Sequence, residues 1–276
     1  MARVTGPAST VSDPRKRVIV TRPAHDAQVW AEALQAQGVA CASFPLIEIA
    51  ALPEPSALTQ AWQAVPHCWA VMFVSANAVR FFMAARPEGL DISHCRAWST
   101  GPGTRAALAA AGWPAELIDS PDEAATQFDS EALWALVSAR VRASVDAAAQ
   151  APTVLLVRGA DALGLLAGRD WLALTLQGAG MRVLQTVAYV RQAPVLTLAQ
   201  QRWAVQAVSD GWWWLFSSSE AAQHLLQTCP DLALGKGRAL ATHPRIAQRL
   251  QSAGWGSVSL VPAGLAAQAQ SIKSLP

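Results

Sequence analysis

The chain has 276 residues, 52% of them hydrophobic and 14% charged, with a formal net charge of +2. That length suits about two domains, each large enough for its own core. The near-neutral balance argues against the broad basic surface that holds nucleic acid, and no apolar run reaches the roughly 18 residues of a membrane span. Four scattered cysteines, Cys41, Cys68, Cys95 and Cys229, form no C-x-x-C pair and follow no secretory signal. They read as reduced, buried thiols of a cytoplasmic protein.

In chain order, Met1 to Lys16 is rich in Ser, Thr, Pro and Arg with one acid, Asp13; it weakly resembles a transit peptide but reads rather as a disordered tail or a mis-called start. Arg17-Val18-Ile19-Val20 is an apolar β-branched run ending at Thr21-Arg22-Pro23, and predicts a buried strand. Asp26 to Gln37 predicts a helix with Val29, Trp30, Ala33 and Leu34 on its apolar stripe and Gly38 as its stop. The same strand, turn and helix grammar recurs in Trp69 to Ala85, Arg96 to Ala111, Thr153 to Ala179, Trp212 to Leu226 and Arg238 to Ala253. Alternation of this kind predicts an α/β chain with parallel sheets covered on both faces. Trp212-Trp213-Trp214 falls in one of these strands and reads as core. Leu136 to Pro152 is a longer Ala-rich stretch to which the sequence assigns no function.

An internal repeat adds more. Cys95 to Trp113 aligns without gaps to Gly237 to Trp255, 142 positions later, with 8 of 19 residues retained. Trp69 to Ala78 matches Trp212 to Ala221, and Thr21-Arg22-Pro23 has a looser counterpart in Val157-Arg158-Gly159. Two similar halves follow, at a spacing too long for a solenoid. Phe44 to Ile49 and Gln185 to Val190 both read as extended, at places where the chain could pass from one half to the other.

Open parallel sheets bind ligands beyond the carboxyl ends of their strands. Here those ends carry Thr21 and Arg22, Ser75, Ala76 and Asn77, Gly101 and Thr104, Arg158 and Gly159, Ser217, Ser218 and Ser219, and Thr242. Small polar residues at such turns leave backbone N–H groups at helix starts, where the macrodipole adds roughly half a positive charge. Several together suit a ligand with many carboxylates, although each alone could be a plain helix cap. Gly101-Pro102-Gly103-Thr104 fits neither nucleotide-loop pattern. The five histidines show no metal-ligand spacing, and Ser218 is in no G-x-S-x-G elbow. Tyr189 is the sole tyrosine in a chain with 12 tryptophans and 6 phenylalanines. A hydroxyl is therefore rare among its aromatics, and Tyr189, in one of the two extended segments, reads either as a side chain that reaches a cleft between the halves or as a packing or hinge tyrosine with a local partner. These features serve an enzyme or a two-domain binding or sensor protein for a carboxylated small molecule.

The ordered set T-R-P, F-P-L-I-E-I, F-V-S-A-N-A-V, S-T-G-P-G-T, L-L-V-R-G, V-A-Y-V-R and F-S-S-S-E-A, closed by A-G-W, resembles the uroporphyrinogen-III synthase family from about Arg17 to Pro262. The resemblance implies two flavodoxin-like, doubly wound parallel-sheet domains joined by a two-stranded linker. One domain, 47–190, would be inserted in the other, 17–46 plus 191–276. It further implies a monomer that binds hydroxymethylbilane in the interdomain cleft without metal or cofactor. Tyr189 then falls on the tyrosine that assists loss of the hydroxyl, and Ser75, Thr104 and Ser218 on turns that grip carboxylates. Where the family often has a Gly-x-x-Thr turn, this chain has His243 and Ile246.

Overall fold

A computed structural model of the chain describes residues 17–54, 56–122, 129–162, 164–166 and 170–275. The expected tail, Met1 to Lys16, lies outside them. Two compact units result: one made of the segments up to Glu48 and from Gln192, the other of Ile49–Arg191.

In the first unit the sheet order is β2 (Ala40–Ser43), β1 (Arg17–Val20), β9 (Trp213–Phe216), β10 (Arg238–Ala241) and β11 (Ser257–Leu260), all parallel. Val18, Val20, Trp213 and Leu215 face a cluster with α1 (Ala24–Ala36) and α10 (Leu265–Lys273). By strand alternation Trp214 and Phe216 point to the opposite face, where they meet Phe44 and Trp255. Both faces are covered, so these strands are apolar throughout. The stripe expected on the first helix needs correcting. Its buried face is Ala27, Ala31 and Leu34 at the i, i+4, i+7 spacing, while Val29 is 49% exposed.

The second unit orders β8 (Arg182–Gln192), β7 (Thr153–Ala160), β4 (Ala70–Phe73), β5 (Arg96–Ser99) and β6 (Ile118–Asp119), again parallel, with β3 (Glu48–Ala51) flanking β8. Val71 and Phe73 pack with Trp62, Phe82 and Trp113. Ala70 and Met72 pack on the other face with α5 (Ser130–Ala147) and α6 (Trp171–Gly178). The Ala-rich stretch is thus largely α5, which buries Leu133, Val137 and Val141. Its Arg140 reaches Asp119 at 2.6 Å, a carboxylate that also accepts from Arg96 and from the Trp98 indole.

The first sheet has the flavodoxin order 2-1-3-4-5. The second has the same spatial arrangement, with β7 and β8 filling the places that β1 and β2 fill in the first. The repeat explains this. Strands β4 to β6 recur as β9 to β11, and their helices α4 (Pro102–Ala110) and α9 (Pro244–Ser252) begin 142 residues apart. The chain is therefore two successive copies that exchange their last three strands.

Candidate active site in the second unit

A doubly wound sheet opens beyond its strand ends at the point where strand order reverses. In the second unit that point lies between β4 and β7. A cavity of about 260 Å³ occupies it, lined among others by Ser75, Thr100, Arg158, Gly159, Tyr189 and Arg191.

Tyr189 is 4% exposed and lies on β8 opposite Gly159, where the ladder register shifts between Arg158 and Gly159. Phe81 stacks on its ring at 5.9 Å between centroids. The phenol oxygen is 3.0 Å from Ser75 Oγ. Ser75 is the N-cap of α3 (Ala76–Ala84) and accepts a hydrogen bond from the Ala78 N–H at 3.1 Å. At such a start the N–H groups of Ala76 and Asn77 have no intrahelical acceptor and can meet an anion. The Asn77 side chain, itself buried, is engaged by Arg80.

Arg158 is 2% exposed, and its guanidinium donates to Asp170 and to Gln185 (2.7 Å to the latter). It lines the cavity with its charge paired to Asp170, while its bond to Gln185 braces β7 against β8. The structure also brings in Asp129, Ser130 and Arg191, which are absent from the sequence-based set. Asp129 caps α5 through the Ala132 N–H, and with Ser130 it lines the cavity. Thr100 lines it from the end of β5, whereas Thr104 is buried in the first turn of α4, which starts after Gly101. Arg191 follows Tyr189 by two residues, so strand alternation alone places both on one face.

In the first unit the corresponding strand ends are those of β1 and β9. The Thr21 hydroxyl donates to the Leu215 carbonyl at 2.7 Å and is wholly buried. The Arg22 guanidinium lies 3.9 Å above the Trp30 ring. Burial pulls its pKa down, against an opposing pull from Asp26. Ser218 caps α8 (Ser219–Thr228) through the Glu220 N–H, with Ser217 preceding it and Ser219 as its first residue. Thr242 follows β10, and its N–H donates to the Phe216 carbonyl. His243 takes over as N-cap of α9, its Nδ1 accepting from the Arg245 N–H, while Ile246 is buried. This turn therefore carries an imidazole cap and an apolar anchor.

Residues 28–263 match the model of the family described as uroporphyrinogen-III synthase HemD. The chain belongs to the uroporphyrinogen-III synthase family. Its members are cyclising lyases of tetrapyrrole biosynthesis, and this assignment favours the enzyme over the binding-protein alternative. Among solved structures, a mutant uroporphyrinogen III synthase from Thermus thermophilus matches with 17% identity and a TM-score of 0.53, over 93% of this chain and 97% of that one. The synthase from Helicobacter pylori matches with 16% identity and a TM-score of 0.52, over 94% and 99%. These likenesses show a shared two-domain α/β fold. No curated protein matches the chain. Among the described residues, no helix is long and apolar enough to cross a membrane, and no cluster of three His, Cys, Asp or Glu side chains could hold a metal ion.

Proposed function

We propose that the chain converts hydroxymethylbilane to uroporphyrinogen III with the second-unit cavity at the reacting end of the substrate. Tyr189 serves there as the proton donor. The observation that carries this reading is a buried phenol whose oxygen meets Ser75 at 3.0 Å inside a cavity beside helix starts and two arginines. At about 260 Å³ the cavity is smaller than the roughly 300–1,000 Å³ of sites that enclose whole ligands, which suits one end of a linear tetrapyrrole.

In this reading Tyr189 protonates the departing hydroxyl, the carbon–oxygen bond breaks, and the pyrrole nitrogen's electrons stabilise the resulting azafulvenium cation. The substituted carbon of ring D attacks it, and the spiro intermediate fragments and recloses with ring D reversed. The phenolate recovers its proton when the new ring regains aromaticity. The free substrate already closes without inversion, so most of the catalysis is orientation of a flexible chain, with general-acid help added. Carboxylates meet the backbone N–H groups at the starts of α3, α4 and α8, the turns of Ser75 to Asn77, Gly101 to Thr104 and Ser217 to Ser219. Thr21, Arg22, Arg158, Gly159 and Thr242 shape the strand ends around these turns. In this reading the chain acts as a monomer. Four unpaired, buried cysteines support a reducing, cytoplasmic setting.

The test is product analysis with hydroxymethylbilane. Type III uroporphyrinogen is expected in excess over type I, and type I alone would overturn the reading.

A further inference from the structure

The ring of Tyr189 has almost no freedom. Phe81 stacks on it, and a Cβ on Gly159 would stand 2.6 Å from its Cζ. What the packing leaves open is rotation about the carbon–oxygen bond, which decides where the phenolic proton points. Ser75 is the group that can decide it. Its Oγ contacts two polar partners among the described residues, the Ala78 N–H and the Tyr189 oxygen. The amide can only donate, so it takes a lone pair of Oγ. The N-terminus of α3 also carries positive potential, which favours lone pairs toward the helix and the hydroxyl proton away from it. The tyrosine oxygen is the acceptor in that direction.

We infer that Ser75 is a positioning residue: its hydroxyl donates to Tyr189 and so turns the phenolic proton into the cavity. This rests on the reading of Tyr189 as the proton donor and deepens it. Ser75 then has two linked roles, ending α3 and aiming the acid. When Tyr189 gives up its proton, the Ser75 hydroxyl remains as a donor to the phenolate oxygen, backed by the helix start. The side chain of Ser75 acts through Tyr189, while the backbone of the same turn meets the substrate.

The experiment compares the parent with Ser75→Ala, Ser75→Thr, Tyr189→Phe and the Ser75→Ala/Tyr189→Phe double variant, using hydroxymethylbilane turnover. Ser75→Ala is expected to lower kcat by about tenfold or more with KM within about twofold. Ser75→Thr, which keeps the hydroxyl, restores kcat. The double variant is no slower than Tyr189→Phe, since residues acting as a unit are not additive. Because Tyr189 is the sole tyrosine, ζ-carbon-labelled tyrosine gives one resonance. It should move in Ser75→Ala and stay in Ser75→Thr, a signature that a weakened helix cap would not produce. If Ser75→Ala slows the Tyr189→Phe protein by the same factor as it slows the parent, Ser75 acts on substrate directly and the inference fails. An unmoved resonance or an unchanged kcat in Ser75→Ala also overturns it. Failure of the underlying reading shows elsewhere, as a Tyr189→Phe protein that is fully active on its own.

Discussion

A methyl group on Gly159 would stand 2.6 Å from Cζ of Tyr189 and 2.9 Å from its hydroxyl. Glycine here is a matter of space rather than backbone angle, because the ring occupies the volume of the missing side chain. Gly159→Ala is therefore expected to push the phenol away from Ser75. Overpacking of this kind destabilises by about 1–3 kcal/mol, and loss of an aimed acid slows turnover by about 10²-fold. Steady-state kinetics beside a thermal melt separate the two effects. A folded, fully active alanine variant would show that the position of the ring does not matter.

The first helical residue of α3 offers a test of backbone recognition. Ser75 has φ near −166°, which proline cannot adopt, so substitution there would disturb the turn itself. Ala76 is the first residue inside the helix, where proline is well tolerated and removes only an N–H without an intrahelical acceptor. Ala76→Pro should keep the fold and raise KM about tenfold, equivalent to about 1.4 kcal/mol for one hydrogen bond to a carboxylate. The parent's own affinity should fall with added salt. An unaltered KM in Ala76→Pro would remove this N–H from substrate binding.

Asp119 gives a pH-dependent element of stability. Burial pushes its carboxyl upward, but hydrogen bonds and charge from Arg96 and Arg140 outweigh that and hold its pKa below the usual value. A carboxyl depressed in the folded state contributes stability that is complete above its unfolded pKa, near 4, and is lost as pH falls through the folded value. Asp119→Asn should cost about 1–3 kcal/mol at neutral pH, because two arginines lose their counter-charge. Denaturant melts from pH 7 to pH 3 should show the parent's advantage shrinking only below about pH 4. A constant difference across that range would mean that Asp119 is not ionised in the fold.

All four cysteines are free and buried. Burial raises the Cys41 and Cys95 thiols to about 12 and Cys68 to about 11, and pushes Cys229 upward as well. Thiolate is the reactive form, so the folded protein should resist a thiol-specific disulfide reagent at neutral pH. All four groups should react at once when denaturant is added. Rapid reaction of any one in the native state would identify a thiol more open than its packing shows.

The strands and the alternation of elements could be read directly, because buried parallel strands leave long apolar β-branched runs and their helices end at glycine. Gly38 and Gly254 illustrate the point, with φ of 81° and 91°. The helix stripe of α1 misled because Val29 is apolar yet exposed, while the small Ala27 and Ala31 do the packing. Tyr189 stood out by rarity, and Arg191 was recoverable from strand period. Asp129 and Ser130 were not, since nothing local says that a helix remote in sequence brings its cap to the ends of β4 and β7. The direct pairing of Ser75 with Tyr189, 114 residues apart, likewise depends on tertiary structure. Sequence could place each at a strand end or on an extended run, but not against the other.

The exchange of halves between the two copies has a consequence for how the molecule forms. Thr21 and the carbonyl it holds, that of Leu215, are 194 positions apart. As the polypeptide emerges during synthesis, β1 and β2 therefore wait without their sheet while all of Ile49–Arg191 is made. That middle portion has its complete sheet, β3 to β8, within one continuous stretch and can close first. The first unit closes only when β9 arrives, so its completion is a slow, long-range event. A nascent chain stalled before Trp213 would carry the acid-bearing unit intact together with an orphaned β1–α1–β2 segment whose strands expose the apolar Val18, Ile19, Val20 and Cys41. That stage is the one most exposed to aggregation.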